Sequence, residues 1–251
     1  MDIQQQLAQL IEEAYTLFAA YPLGQKIAVC HEFVCCLQQS DIDLLHSTPV
    51  RELDRRVIYE YLDAGAGEDD VLLAQQMKHL LPRVLDLLLQ GERLAHSTEI
   101  IFAKLHCELT EVWTATEIEF MQRFALCYFQ YKALHLVDHD LATDDFLDCI
   151  IIMFNTAGLE ISTLLDQWLI LLEYPQVMLD FINIIKCCLN DGVYDQSYAD
   201  EKLQKQITAW LKHPQHRSKI LIQLIKLAES NDLTEHQRLD LLQVMDQLKL
   251  N

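Results

Sequence analysis

Apolar residues recur along this chain with the three-and-four spacing of helix faces. Leu7, Leu10, Ile11, Ala14, Leu17 and Phe18 form the first such stripe, with polar residues between them. Tyr21-Pro22-Leu23-Gly24 interrupts it, and the pattern then predicts a second helix over Gln25–Gln39. Ser40 and Asp41 are placed to cap a short helix over Ile42–His46. Thr48-Pro49 opens the next turn, since proline is tolerated at a first helical position. Asp54–Ala64 puts Val57, Ile58, Tyr61 and Leu62 on one face. The stretch GAGEDD (65–70) reads as a loop whose last two acids favour a helix start. The helix from Val71 then meets Pro82. Proline lacks an N–H and clashes one turn back, so a kink or a split is expected there.

The second half continues in the same rhythm. Ser97 stands where an N-cap would open a helix to Glu108. Thr114 and Glu117 have capping-box spacing and open a helix through Leu134. Thr143–Thr156, Ser162–Leu172, Gln176–Leu189, Tyr198–Lys212, Gln215–Glu229 and Thr234–Lys249 follow, the last with the cap spacing again at Thr234 and Gln237. No convincing strand alternation occurs. The expectation is an all-α protein of about a dozen helices in one continuous domain, residues 1–251. Consecutive pairs suggest a HEAT-like stack of helical hairpins, and a compact helical bundle is the rival arrangement.

Composition supports helix: 51% of 251 residues are hydrophobic, while Gly (6) and Pro (5), the residues most costly in helices, are scarce. Charge adds more. Nineteen bases against 38 acids give a net charge of −19, which repels phosphates and disfavours direct nucleic-acid binding. Between Leu134 and Asp200 twelve acids stand against one base, Lys186. Asp138, Asp140, Asp144, Asp145 and Asp148 are the densest part, and they are expected to form either a solubilising face or a surface that attracts a basic partner. The N-terminus, MDIQQQLAQLIEEAY, has neither the basic nor the long apolar region of a signal peptide. The run CIIIMFNTAGLEIS is too short and interrupted to span a membrane. Eight cysteines fit a reducing compartment, and a cytoplasmic location is expected.

Candidate chemistry is sparse. Cys30, His31, Cys35 and Cys36 are a metal-like cluster, but the spacing is poor for zinc and no second Cys-x-x-Cys completes it, so buried thiols are the simpler reading. Ser97 lacks a nucleophile elbow. His79 and Glu99 could form a base and its orienter, and His135 and His139 share a helix face, yet no His-Glu-x-x-His pattern surrounds them. Phe120, Phe124, Tyr128 and Tyr131 make an aromatic stripe expected to pack between helices. No cofactor and no enzymatic activity are expected.

The segment from Tyr21 to Ala125 resembles a family of bacterial helical proteins. The matching pieces are the Cys30–Cys36 cluster, PVRELD (49–54), IYEYLDA (58–64), KHLLPRVLDL (78–87) and STEIIFAKL (97–105). A Trp-Gly dipeptide common in that family's loop is replaced here by GAGEDD. Some members resemble immunity proteins of polymorphic toxin systems, all-helical proteins that bind and neutralise a nuclease toxin. The resemblance implies a protein-binding surface over Tyr61, His79, Ser97, Glu99 and Lys104, with Arg51 and Arg83 nearby, facing a basic toxin domain. The alternatives are a helical scaffold or adaptor for another protein, and a metal-dependent hydrolase using His79, Glu99 and the cysteines.

Overall fold

A computed structural model describes residues 2–31, 37–136, 146–230 and 232–249. Among the described residues there are eleven α-helices: α1 (Ile3–Leu17), α2 (Gln39–Ser47), α3 (Arg55–Asp63), α4 (Asp70–Leu89), α5 (Ala115–Leu134), α6 (Leu147–Thr156), α7 (Ser162–Leu171), α8 (Pro175–Cys188), α9 (Glu201–Lys212), α10 (Pro214–Ala228) and α11 (Glu235–Lys249). The protein is all-α. The one small ladder, β1 (Leu189–Asn190) with β2 (Val193–Tyr194), is an antiparallel two-residue pairing that the sequence pattern did not signal.

Aspartate side chains cap three helices. Asp54, Asp69 and Asp200 each accept a backbone N–H of the first turn, from Arg56 (2.8 Å), Leu72 (2.9 Å) and Leu203 (2.7 Å). Both predicted capping boxes close. Thr114 N–H reaches Glu117 at 2.8 Å while Glu117 N–H reaches Thr114 Oγ1 at 3.3 Å. Thr234 and Gln237 reciprocate in the same way at 2.9 and 3.2 Å.

Three local expectations are corrected. No helix covers residues 25–31 or 37–38, because the backbone there is engaged elsewhere. Ala28 N–H goes to the side-chain oxygen of Gln76 (2.9 Å), Cys30 N–H to Gly65 O (2.8 Å), and Ala28 O accepts from Gly67 N–H (2.9 Å). Residues 32–36 lie outside the described residues. Second, of the kink or split expected at Pro82, the split is absent: α4 runs unbroken from Asp70 to Leu89. Proline inside a helix costs about 3 kcal/mol, but eleven other buried residues anchor this helix on both sides of it. Third, Ser97 makes no capping bond. Thr98–Ile100 is one turn of 3-10 helix, and turns rather than an α-helix follow it.

The chain groups into two compact units. The first comprises residues 1–128 with 153–160, the second residues 129–152 with 161–251. In the first, α1 packs on α4, and α4 also meets α3 and the 3-10 turn Val50–Glu52. Its core is filled by Leu7, Phe18, Met77, Leu81, Phe102 and Phe120 among others, with Phe18 edge-on to Phe120 (centroids 5.7 Å) and Phe124 stacked on Tyr128 (5.7 Å). The aromatic stripe of α5 is thus core through Tyr128. In the second unit, α8 packs on α11, and α10 touches α7, α8, α9 and α11 around the stacked pair Trp168–Trp210 (5.7 Å). In both units the foremost pairing joins helices three apart in chain order. That resembles the bundle alternative more than a stack in which each hairpin meets only its neighbours.

Candidate functional site

The residues singled out by the resemblance fall in the first unit, and most are engaged in internal bonds. Gln76, on α4, is a four-way junction with no exposed surface. Its side-chain oxygen accepts from Ala28 N–H and from Tyr61 O–H, each at 2.9 Å, and its amide donates to the carbonyls of Leu23 (3.0 Å) and Lys26. Tyr61 is therefore sealed in the core, and burial pushes its phenol well above the ordinary range. A partner cannot touch it, which corrects the binding role inferred for this residue. Two residues on, Lys78 is also buried. It bonds Glu117 (2.8 Å) and Val112 O (2.8 Å) and sits 3.8 Å from the Tyr21 ring centre. Burial opposes ionisation of Glu117, but bonds from Lys78, Tyr21 and Thr114 outweigh it and hold the carboxyl below its usual range.

His79 is half-buried with Nδ1 2.8 Å from Tyr21 O. Arg83 is half-buried too, donating to Leu53 O (2.8 Å) and Asp86 (2.8 Å). Arg51 forks onto Glu12 with two 2.8 Å bonds and lies 3.8 Å over the Tyr15 ring. Ser97 Oγ donates to Glu99, whose own backbone carbonyl accepts from Thr156 Oγ1 at 2.7 Å. Lys104 is buried and donates to Leu62 O. Burial lowers its pKa to about 8, partly offset by the charge of Asp63. Glu99 and Lys104, like Tyr61, are inside the molecule. These groups fasten the connecting segments around α3 and α4; they do not make one open display.

The acidic stretch is likewise revised. Asp138, Asp140, Asp144 and Asp145 lie outside the described residues, as do Thr143 and His139. Asp148 is buried, not a surface acid, and accepts from Tyr194 O–H at 2.8 Å in the second unit. His135 Nδ1 turns back to Tyr131 O (2.7 Å). Cys35 and Cys36 are outside the described residues, while Cys30 is half-buried and His31 Nδ1 lies 2.9 Å from Val29 O. Among the described residues no three His, Cys, Asp or Glu side chains converge as a metal would require.

What the first unit does expose is an acidic edge. Glu68, Asp69 and Asp70 are consecutive and exposed at the start of α4, and Glu108 is exposed as well. His106 joins them: its Nε2 is 3.7 Å from Asp70 and its Nδ1 3.2 Å from Glu108. Loop chemistry builds this edge. His106 has a positive φ of 47°, and Gly158, at φ 84°, leaves room for Glu108, since a Cβ there would lie 2.1 Å from the Glu108 carboxylate. Read from sequence, GAGEDD was only a loop and a helix start. The sequence signal available was three adjacent acids after two glycines.

No protein-family model, curated protein or solved structure matches the chain. Among the described residues no helix is long and apolar enough to cross a membrane.

Proposed function

We propose that this protein acts by binding a basic protein domain, performs no reaction itself, and serves as an immunity protein that neutralises a cognate bacterial toxin, a nuclease. The observation that carries the binding reading is the sorting of charge. Tyr61, Gln76, Lys78 and Arg83 of α3 and α4 are spent on internal bonds, while Glu68, Asp69, Asp70 and Glu108 stay exposed on a chain of net charge −19. A nuclease presents basic surface to hold phosphates, and an acidic protein is steered onto such a surface and competes with the nucleic acid for it. The immunity role rests on the resemblance carried by PVRELD, KHLLPRVLDL and STEIIFAKL. That resemblance now has a narrower content: these motifs supply internal fasteners, so they speak for a shared scaffold, and the contact surface is assigned to the acidic edge instead.

The test is co-expression with a basic toxin domain encoded beside this protein. Cell survival, a purified complex, and loss of both on Glu68→Lys with Glu108→Lys are expected. Equal killing with and without the protein sinks the immunity role. A complex whose association rate ignores both the charge reversals and salt sinks the assigned surface.

A further inference from the structure

The hairpin of α10 and α11 carries exposed apolar side chains that neither helix uses internally. On α10, Ile220, Leu224 and Leu227 face the core, while Ile222 and Ile225 are 49% and 48% exposed. On α11, Leu241, Val244 and Leu248 face the core, while Leu239 and Leu242 are 61% and 57% exposed. Four large aliphatic side chains are thus exposed on two helices that pack against each other, which is more informative than scattered single residues.

Charge frames each pair differently. On α10, Lys219, Ile222 and Lys226 follow one another at i+3 and i+4 and are all exposed, so the apolar pair lies between two bases. The surroundings are basic: from Lys202 to Ala228 the chain has no Asp or Glu, whereas Lys202, Lys205, Lys212, Arg217, Lys219 and Lys226 all fall there. On α11, Glu235, Leu239, Leu242 and Asp246 follow at i+4, i+3 and i+4, again all exposed, so that pair lies between two acids. The two stripes are complementary in sign and alike in apolar spacing.

We infer that the α10–α11 hairpin is a self-association surface, with α10 of one copy seated on α11 of a second copy and the reverse across a two-fold axis. An isologous contact of this kind needs a surface that matches itself, and one hairpin bearing both stripes meets that requirement. The dimensions agree. Lys219 to Lys226 spans about 10 Å along the helix and Glu235 to Asp246 about 16 Å, leaving about 3 Å at each end. A lysine side chain covers that gap. An anionic membrane or a nucleic acid would meet the α11 acids as well as the α10 bases, and so fits only half of the surface. Two short helices offer less than the roughly 800 Å² per partner of a standard stable interface. The dimer is therefore concentration-dependent, with a dissociation constant on the order of micromolar.

The inference is independent of the proposed function. Its test is sedimentation velocity at physiological salt, from about 1 to about 200 µM protein. The wild type is expected to pass from monomer to dimer over that range. Lys219→Glu with Lys226→Glu sets acid against acid, Glu235→Lys with Asp246→Lys sets base against base, and each double variant is expected to stay monomeric. All four positions are exposed, and unchanged far-ultraviolet circular dichroism controls for folding. Mixing the two double variants pairs unlike charges at both contacts and is expected to restore the dimer. A wild type that stays monomeric throughout, double variants that still dimerise, or a mixture that stays monomeric would each overturn the proposal.

Discussion

Gln76 shows how one polar side chain on an apolar helix face fixes an irregular segment. Its carboxamide uses both an acceptor and donors within the core, and the bonds reach Leu23, Lys26, Ala28 and Tyr61. Replacing it with leucine keeps the volume but leaves these groups buried and unpaired. Each such loss costs about 1–3 kcal/mol, so Gln76→Leu is expected to cost several kcal/mol in urea denaturation, and Tyr61→Phe only about 1 kcal/mol. Equal effects would mean that Tyr61 is the junction and Gln76 is not. Lys104 gives a pH signature. Burial lowers its pKa from 10.5 to about 8, so between those values the unfolded chain binds the proton and the folded protein does not. Stability from this group therefore rises with pH across that window, since the cost of burying the ammonium is relieved as it deprotonates. Measured as urea midpoints, wild type minus Lys104→Met should shift in favour of wild type between pH 7.5 and pH 10. A constant difference would show that the ammonium stays charged in the fold.

At the scale of elements, the loop Gly65–Asp70 is held by backbone contact. Gly67 N–H donates to Ala28 O at 2.9 Å, and a Cβ on Gly67 would sit 2.3 Å from that oxygen. Backbone cannot move aside cheaply, so Gly67→Ala is expected to cost about 1–3 kcal/mol, whereas Gly65→Ala, whose nearest atom would be Cys30 Cβ at 3.8 Å, should be close to neutral. Comparable thermal stabilities for the two variants would contradict the close approach. The same loop marks what the sequence could reveal. Helices with their own start signals were legible: Thr114 and Thr234 each cap where the spacing says they should. The stretch after Gln25 was not, because periodicity reads only local spacing, and the groups that compete for its backbone, Gly65 and Gln76, lie about 35 to 50 residues away. At Pro82 a kink or a split was expected and the split is absent, since the local cost is outweighed by burial along α4. At the site, Tyr61, Glu99 and Lys104 were assigned to a binding surface by the resemblance, and the structure buries all three. The sequence does not distinguish a polar group that closes an internal bond from one that meets a partner.

For the molecule as a whole, charge is the dominant surface property, and it acts on stability and binding with opposite signs. Described exposed pairs such as Arg51–Glu12 and Arg123–Glu13 offset part of the repulsion. Each is worth only about 0–1 kcal/mol, and pairing every one of the 19 bases would still leave 19 of the 38 acids without a counter-charge. Self-repulsion therefore opposes the compact state, and salt relieves it, because the screening length falls from about 30 Å at 0.01 M to about 10 Å at 0.1 M. Melting temperature is expected to rise by several degrees between about 10 and about 300 mM sodium chloride. Association with a basic partner should show the reverse, its rate falling over the same range as the attraction is screened. The opposed trends separate the two roles of the acids in one series of buffers. If melting temperature falls with salt, the exposed ion pairs outweigh the excess charge. If it rises while partner association keeps its rate, the excess acids are a solvated coat, and the partner is recognised by shape and apolar contact instead.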